Sequence, residues 1–195
     1  MRSHLPTQTG QAYARISAEK CAKSTVRLLK TKWTDYPDDT KAMEYIDQQI
    51  DEKDADFVYH NAKHGTDENL FHSLASAGRA SLIKRVAQKY DPNGYYINQN
   101  AGIGKGTPML MAFKCARSKK QLPRLKDTLF AIIQLGGMVT DDVMNRIDSF
   151  ANQDSKIVLF SRTEAAQLKK KLQNAREKYL QNQSTQARRN QSRDY

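Results

Sequence analysis

Cysteine, tryptophan, proline and glycine are all scarce: two, one, five and nine residues in a chain of 195. Cys21 and Cys115 have no C-x-x-C companion, so they outline neither a disulfide framework nor a thiolate metal site. Two lone cysteines in a helical chain read as reduced and buried, which fits a reducing compartment. Long apolar runs are missing too. Runs of only a few residues, as in Leu129–Phe130–Ala131–Ile132–Ile133, fall far short of the roughly 20 residues a membrane-crossing helix needs. The polar start Met1–Arg2–Ser3–His4–Leu5–Pro6 has no apolar core of a secretory signal. The expectation is a soluble, cytoplasmic protein with no transmembrane segment. With 38% hydrophobic residues the chain is still rich enough to build a core.

Acidic residues are few at the two ends, and the net charge of +11 sits there. Residues 1–33 hold seven bases and one acid, and residues 156–195 hold ten bases and three acids. Residues 34–155 hold fifteen bases and seventeen acids, split into an acidic stretch (35–68) and a basic one (79–126). A compact middle built this way is dipolar.

Apolar residues at three- and four-residue intervals predict helices. Tyr13, Ile16, Val26, Leu29 and Trp33 mark one over 11–33, ended by Pro37. Met43, Ile46 and Ile50 mark a second, capped by Asp38 or Asp39. An extended piece at 56–65 closes on Gly65, and helices follow over 68–77 and 80–90. Asp91–Pro92–Asn93–Gly94 is a turn signal, followed by an extended stretch at 95–100 and a glycine-rich tip at 102–106. Thr107 is placed to cap a helix with Pro108 at its first position. Further helices are predicted over 125–135, stopped by Gly136–Gly137, from 140 to about 152, and from 163 to 181. The Gln/Asn/Ser/Arg-rich remainder, 182–195, reads as a disordered polar tail.

The middle repeats with a period of 38 residues: extended turn, short helix, break, longer helix. Asn69–Leu70–Phe71–His72 and Thr107–Pro108–Met109–Leu110 begin equivalent helices. Residues 69–86 resemble the ankyrin pattern T-P-L-H-x-A-x-x-x-G-x-x-x-x-V-x-x-L, with His72, Gly78, Leu82, Ile83 and Val86 at matching positions. Residues 107–112 resemble the family's TPLHLA, with Leu110 in place of the histidine. Residues 129–137 resemble its V-x-x-L-L-x-x-G-A ending. Asn69–Leu70 replaces Thr-Pro, Ala116 stands where a glycine is expected, and 140–147 keeps little of the motif. The resemblance implies an all-α fold: a short stack of about two recognisable ankyrin-like helix-turn-helix repeats, with degenerate units and flanking capping helices. The boundaries read as an N-terminal cap at 1–37, the repeat region at 38–152, a basic C-terminal cap helix at 153–181 and the tail at 182–195. Units of this kind must stack to bury their apolar faces.

Catalytic chemistry finds no support. Gly102–Ile103–Gly104–Lys105–Gly106–Thr107 is not a phosphate loop, because Gly106 separates the lysine from the threonine. His60 and His64 straddle a turn, so their spacing does not make a helical metal pair. Cys115 lies between Lys114 and Arg117, yet the apolar residues before it favour a buried thiol. No catalytic residue, metal ligand or cofactor is expected.

The resemblance implies a non-enzymatic protein-protein interaction module that binds through hairpin tips and the inner-helix face. Lys63, His64, Asp67, Tyr95, Tyr96, Ile103 and Lys105 are the contact candidates. Small chains of this kind also resemble bacterial effectors that act in host cells, which allows secretion by a signal-peptide-independent route. The alternative is electrostatic binding of nucleic acid or anionic membrane through the basic ends and the cluster Lys114, Arg117, Lys119, Lys120, Arg124 and Lys126.

Overall fold

The computed structural model describes residues 25–50, 58–61, 66–102, 106–152 and 157–191. The fold is all-α. Its helices are α1 (25–30), α2 (Asp39–Gln49), α3 (Leu70–Ser76), α4 (Ala80–Tyr90), α5 (Pro108–Ala112), α6 (Leu122–Gln134), α7 (Asp141–Ser149) and α8 (Arg162–Gln191). Two short antiparallel strands, β1 (Val58–Asn61) and β2 (Thr66–Asn69), pair in front of α3, with Val58 opposite Asn69 and Asn61 opposite Thr66.

Local chemistry sets the helix starts. The Asp38 carboxylate accepts from Thr40 N at 2.8 Å and caps α2. Thr107 Oγ1 accepts from Leu110 N, and Pro108 occupies the first turn of α5. Ser161 and Glu164 exchange bonds of 3.2 and 2.7 Å in a capping box that begins α8. These bonds to Ser161 hold the Glu164 carboxyl below its usual range.

The helices stack in two rows. In the inner row α3 packs on α5 and α5 on α7; in the outer row α2 packs on α4, α4 on α6 and α6 on α8. Each inner helix also packs on the outer helix that follows it: α3 on α4, α5 on α6, α7 on α8. Ser73 Oγ of α3 donates to Leu29 O at 2.7 Å, which ties α1 to the inner row. The core runs through this ladder. Leu82, Ile83, Val86 and Ala87 of α4 are buried while Lys84 and Gln88 face out. Leu70 through Ala75 of α3 are all buried, because helices cover it on several sides. Burying one such Leu, Ile or Phe contributes about 1.5–3 kcal/mol.

Arg79 fastens the first helical pair to the second. Its Nη1 donates to Trp33 O at 2.6 Å and to Tyr36 O, and its Nε and Nη2 both reach Asp39 Oδ1. Its side chain is only 9% exposed. Burial raises the Asp39 pKa, but hydrogen bonds from Arg79 and Ser81 and the nearby guanidinium outweigh this and leave it lowered.

Several boundaries differ from the sequence expectations. Residues 182–191, expected to be disordered tail, continue α8 to Gln191. No proline or glycine interrupts 162–191, and Gln183, Gln186, Ala187, Arg188 and Arg189 are good helix formers. Residues 95–100, expected to be extended, instead form a 3-10 turn at Tyr96–Asn98. The Asp91 carboxylate collects Tyr95 N and Tyr96 N at 2.8 and 3.0 Å and folds the chain back. Helix α6 starts at Leu122, three residues early, with Pro123 in its first turn. Of the helix expected over 11–33, residues 25–30 are helical and Trp33–Asp35 is a 3-10 turn. The rest of that segment, with Cys21, lies outside the described residues.

Candidate interaction groove

Asn69 opens the inner row at α3. Its side chain accepts from His72 N at 3.3 Å, and its backbone N–H donates to His72 Nδ1 at 3.2 Å. His72 Nε2 then carries the ring proton and donates to Gly106 O at 3.1 Å, since a carbonyl can only accept. Burial lowers the His72 pKa from 6.5 to about 4, so the ring is neutral. Gly106 has φ +69°, the left-handed region that glycine fills without strain, and presents its carbonyl to the histidine.

This bond crosses from one helical pair to the loop of the next, and other bonds run the same way. Asn69 Nδ2 donates to Tyr96 O and Gln99 Oε1. Asp67 N donates to Ala101 O at 3.2 Å, and Ala101 N to Gly106 O at 2.9 Å. One step further along, Asn98 Nδ2 donates to Gly136 O and Met138 N to Asn98 Oδ1, at 3.0 and 2.8 Å. The described ends of the loop at 99–107 are therefore pinned to α3 and β2.

Between Asn100, Gly102 and Gly106 on one side and α5 and α7 on the other lies a groove of about 470 Å³. Its apolar part is Leu110, Phe113 and Phe150, the two rings tilted with centroids 5.7 Å apart. Phe113 is 4% exposed and Phe150 is half-buried, held by Leu159 N and Phe160 N donating to Phe150 O. Its polar part is Asn100, Lys114, Asp142 and Arg146. A second recess of about 650 Å³ on the edge near Arg79 and Arg124 is larger. There, however, Arg79 is engaged by Asp39, and Arg124 Nε donates to Gly78 O at 3.2 Å. That recess is a seam within the fold.

The candidate residues fall as follows. Tyr95 is 77% exposed, with its ring on edge against Tyr96 at 5.0 Å; Tyr96 is half-buried, and Asp91 fixes both backbones. Asp67 joins β2 to the neighbouring loop through its backbone. Lys63, His64, Ile103 and Lys105 lie outside the described residues.

The residues of the basic cluster have different surroundings. Lys114 lines the groove. Arg117, Lys119 and Lys120 are exposed before α6. Arg124 is spent on Gly78, and Lys126 lines a small cleft with Phe130, Glu164 and Lys171. Cys115 is buried, and burial pushes its thiol pKa up. Arg146, Asp142 and Phe150 were not singled out by sequence reasoning. The available signal was that Arg146 is the single base between Lys126 and Lys156. Among the described residues no helix is long and apolar enough to cross a membrane.

Compared with known proteins, the chain matches no family model, no curated protein and no solved structure.

Proposed function

We propose that this chain is a non-enzymatic protein-interaction module of ankyrin-like units that holds a partner against its inner helices and loop tips. The observation that carries the reading is the two-row ladder of helical pairs, locked pair to pair by His72 and Asn98, with a groove left open along the inner row. Units that contact only their neighbours give a rigid, extended surface, the form on which loops and grooves serve recognition. Exposed Tyr95, on an Asp91-fixed turn, adds a rigid aromatic.

Site-specific photo-crosslinking in the cell that makes the protein tests this. A photoreactive residue at Asn100 in the groove lining, or at Tyr95 on the Asp91-held turn, is expected to capture a discrete partner that one at Lys84 or Gln88, on the outer face, does not. Capture from the outer positions alone would remove the inner face from the proposal. Action as a bacterial effector in a host cell belongs to the same proposal. A translocation assay on a chain lacking 182–195 tests it while sparing Arg176 and Tyr179, which pack on the turn at Gly136.

A further inference from the structure

The groove's charge indicates the partner's chemistry. Lys114 from the inner row and Arg146 from α7 share its lining, both are exposed, and among the described residues neither ammonium nor guanidinium has an ion-pair partner. Among the described residues the Arg146 guanidinium makes no hydrogen bond, while Ser149 Oγ and Phe150 N donate to its backbone carbonyl. The one carboxylate in the lining, Asp142, sits in the first turn of α7, four residues before Arg146 on the same helix, so the lining holds two cations and one anion. His72, buried nearby, is neutral and adds no charge. The groove is thus a polar rim of net positive charge over an apolar floor of Leu110, Phe113 and Phe150.

Resting on the interaction reading above, we propose that this groove takes an extended peptide segment bearing an acidic side chain beside a bulky apolar one. The carboxylate lies between Lys114 and Arg146, where a charge-assisted bond to the guanidinium is the strongest contact available. The apolar side chain covers the exposed edge of Phe150 and Leu110, removing both from water. A basic segment meets two unpaired cations there and is rejected.

The test is a selection of short random peptides displayed on phage, made on the full chain at about 0.15 M salt, followed by affinity measurement with the synthetic peptides. Three proteins are compared: wild type, Lys114→Glu/Arg146→Glu, and Lys84→Glu/Lys170→Glu. The last carries the same charge change on exposed residues away from the groove. Selected peptides are expected to pair Asp or Glu with an aromatic or aliphatic residue. Binding is expected to weaken about tenfold or more with the groove variant, and little with the other. The same loss is expected when the peptide's acid is made the amide. A peptide with lysine in place of the acid is expected to bind the groove variant better than wild type. Should the groove variant not fold, the amide and lysine peptides decide on wild type. Peptides that bind equally well to both charge variants, or that carry no acid, overturn this inference and leave the interaction reading standing. Failure to enrich any peptide over the urea-unfolded chain overturns both.

Discussion

The imidazole of His72 in α3 donates from Nε2 to the carbonyl of Gly106, thirty-four residues on, at 3.1 Å. One buried neutral ring thereby couples a helical pair to the loop that borders the groove. His72→Gln is expected to cost about 1–3 kcal/mol, since the Gly106 carbonyl and the Asn69 amide lose a matched partner. The folded-state pKa of His72 lies below that of the unfolded chain, about 4 against 6.5, so the unfolded chain takes up the proton first. The stability that neutral His72 confers is complete above 6.5 and lost as the pH falls toward about 4, amounting to at most about 3 kcal/mol. Urea unfolding of wild type and His72→Gln across that window checks this. Parallel pH profiles for the two proteins would show that another group is responsible.

Arg79 carries the junction between the first two helical pairs. Arg79→Lys keeps the charge and loses the fork that reaches Asp39 and the Trp33 and Tyr36 carbonyls together. A loss of about 2–4 kcal/mol is expected. Trp33, the single tryptophan and 2% exposed, reports it directly. Its emission is expected to shift to the red at lower denaturant than the loss of helix, because α1 and α2 detach first. Coincident transitions with an unchanged midpoint would refute the role.

What the sequence carried was local. Thr107–Pro108, Asp38 and Gly136–Gly137 act through neighbouring backbone, and their structural roles match the expectation. The apolar spacing of α4 named its buried face. The misses came from signals that compete or act at a distance. Asp91 turned an extended stretch into a 3-10 turn through its side chain. After 181 no proline or glycine stops the helix, and Gln, Ala and Arg carry it through a polar stretch to Gln191. The Ser161–Glu164 capping box, which fixes the start of α8, was present in the sequence but went unread. The groove was illegible for a different reason. Phe113 and Phe150 are 37 residues apart, and only the packing of α5 on α7 brings their rings together. Within the basic cluster the surroundings differ from residue to residue: Lys114 lines the groove, Arg124 donates to Gly78 O, and Lys126 lines the cleft with Glu164.

Cys115 is expected to be inert in the folded chain. It is 7% exposed, and burial raises its thiol pKa against the weaker opposing pull of Arg124. In a Cys21→Ser variant, thiol labelling at mildly alkaline pH is expected to be slow under native conditions and complete at once in denaturant. Rapid native labelling would place the sulfur in solvent and contradict the packing around α5.

Charge reversal in the basic stretch is expected to separate binding from stability. Lys119 and Lys120 are exposed, so Lys119→Glu/Lys120→Glu is expected to leave stability within about 0.5 kcal/mol. Arg124→Glu is different in kind. The guanidinium lies over Gly78, within 3.2 Å of its carbonyl, and its loss leaves a buried acceptor unpaired, a cost of about 1–3 kcal/mol. A chain of net charge +11 binds duplex DNA in dilute buffer regardless of design. The informative quantity is the salt dependence, which falls with a log–log slope of about −0.9 for each phosphate contacted. If Lys119 and Lys120 each hold a phosphate, reversing both lowers that slope by about two contacts' worth. The interaction reading expects duplex and anionic-vesicle binding to vanish near about 0.15 M salt, with peptide binding in the groove unaffected by Lys119→Glu/Lys120→Glu. Duplex binding of about micromolar strength that survives at that salt, and is abolished by this pair while the fold stays intact, would move the assignment to nucleic acid. Because the pair touches neither Gly78 nor the groove, such a result could not be put down to unfolding or to loss of the peptide site.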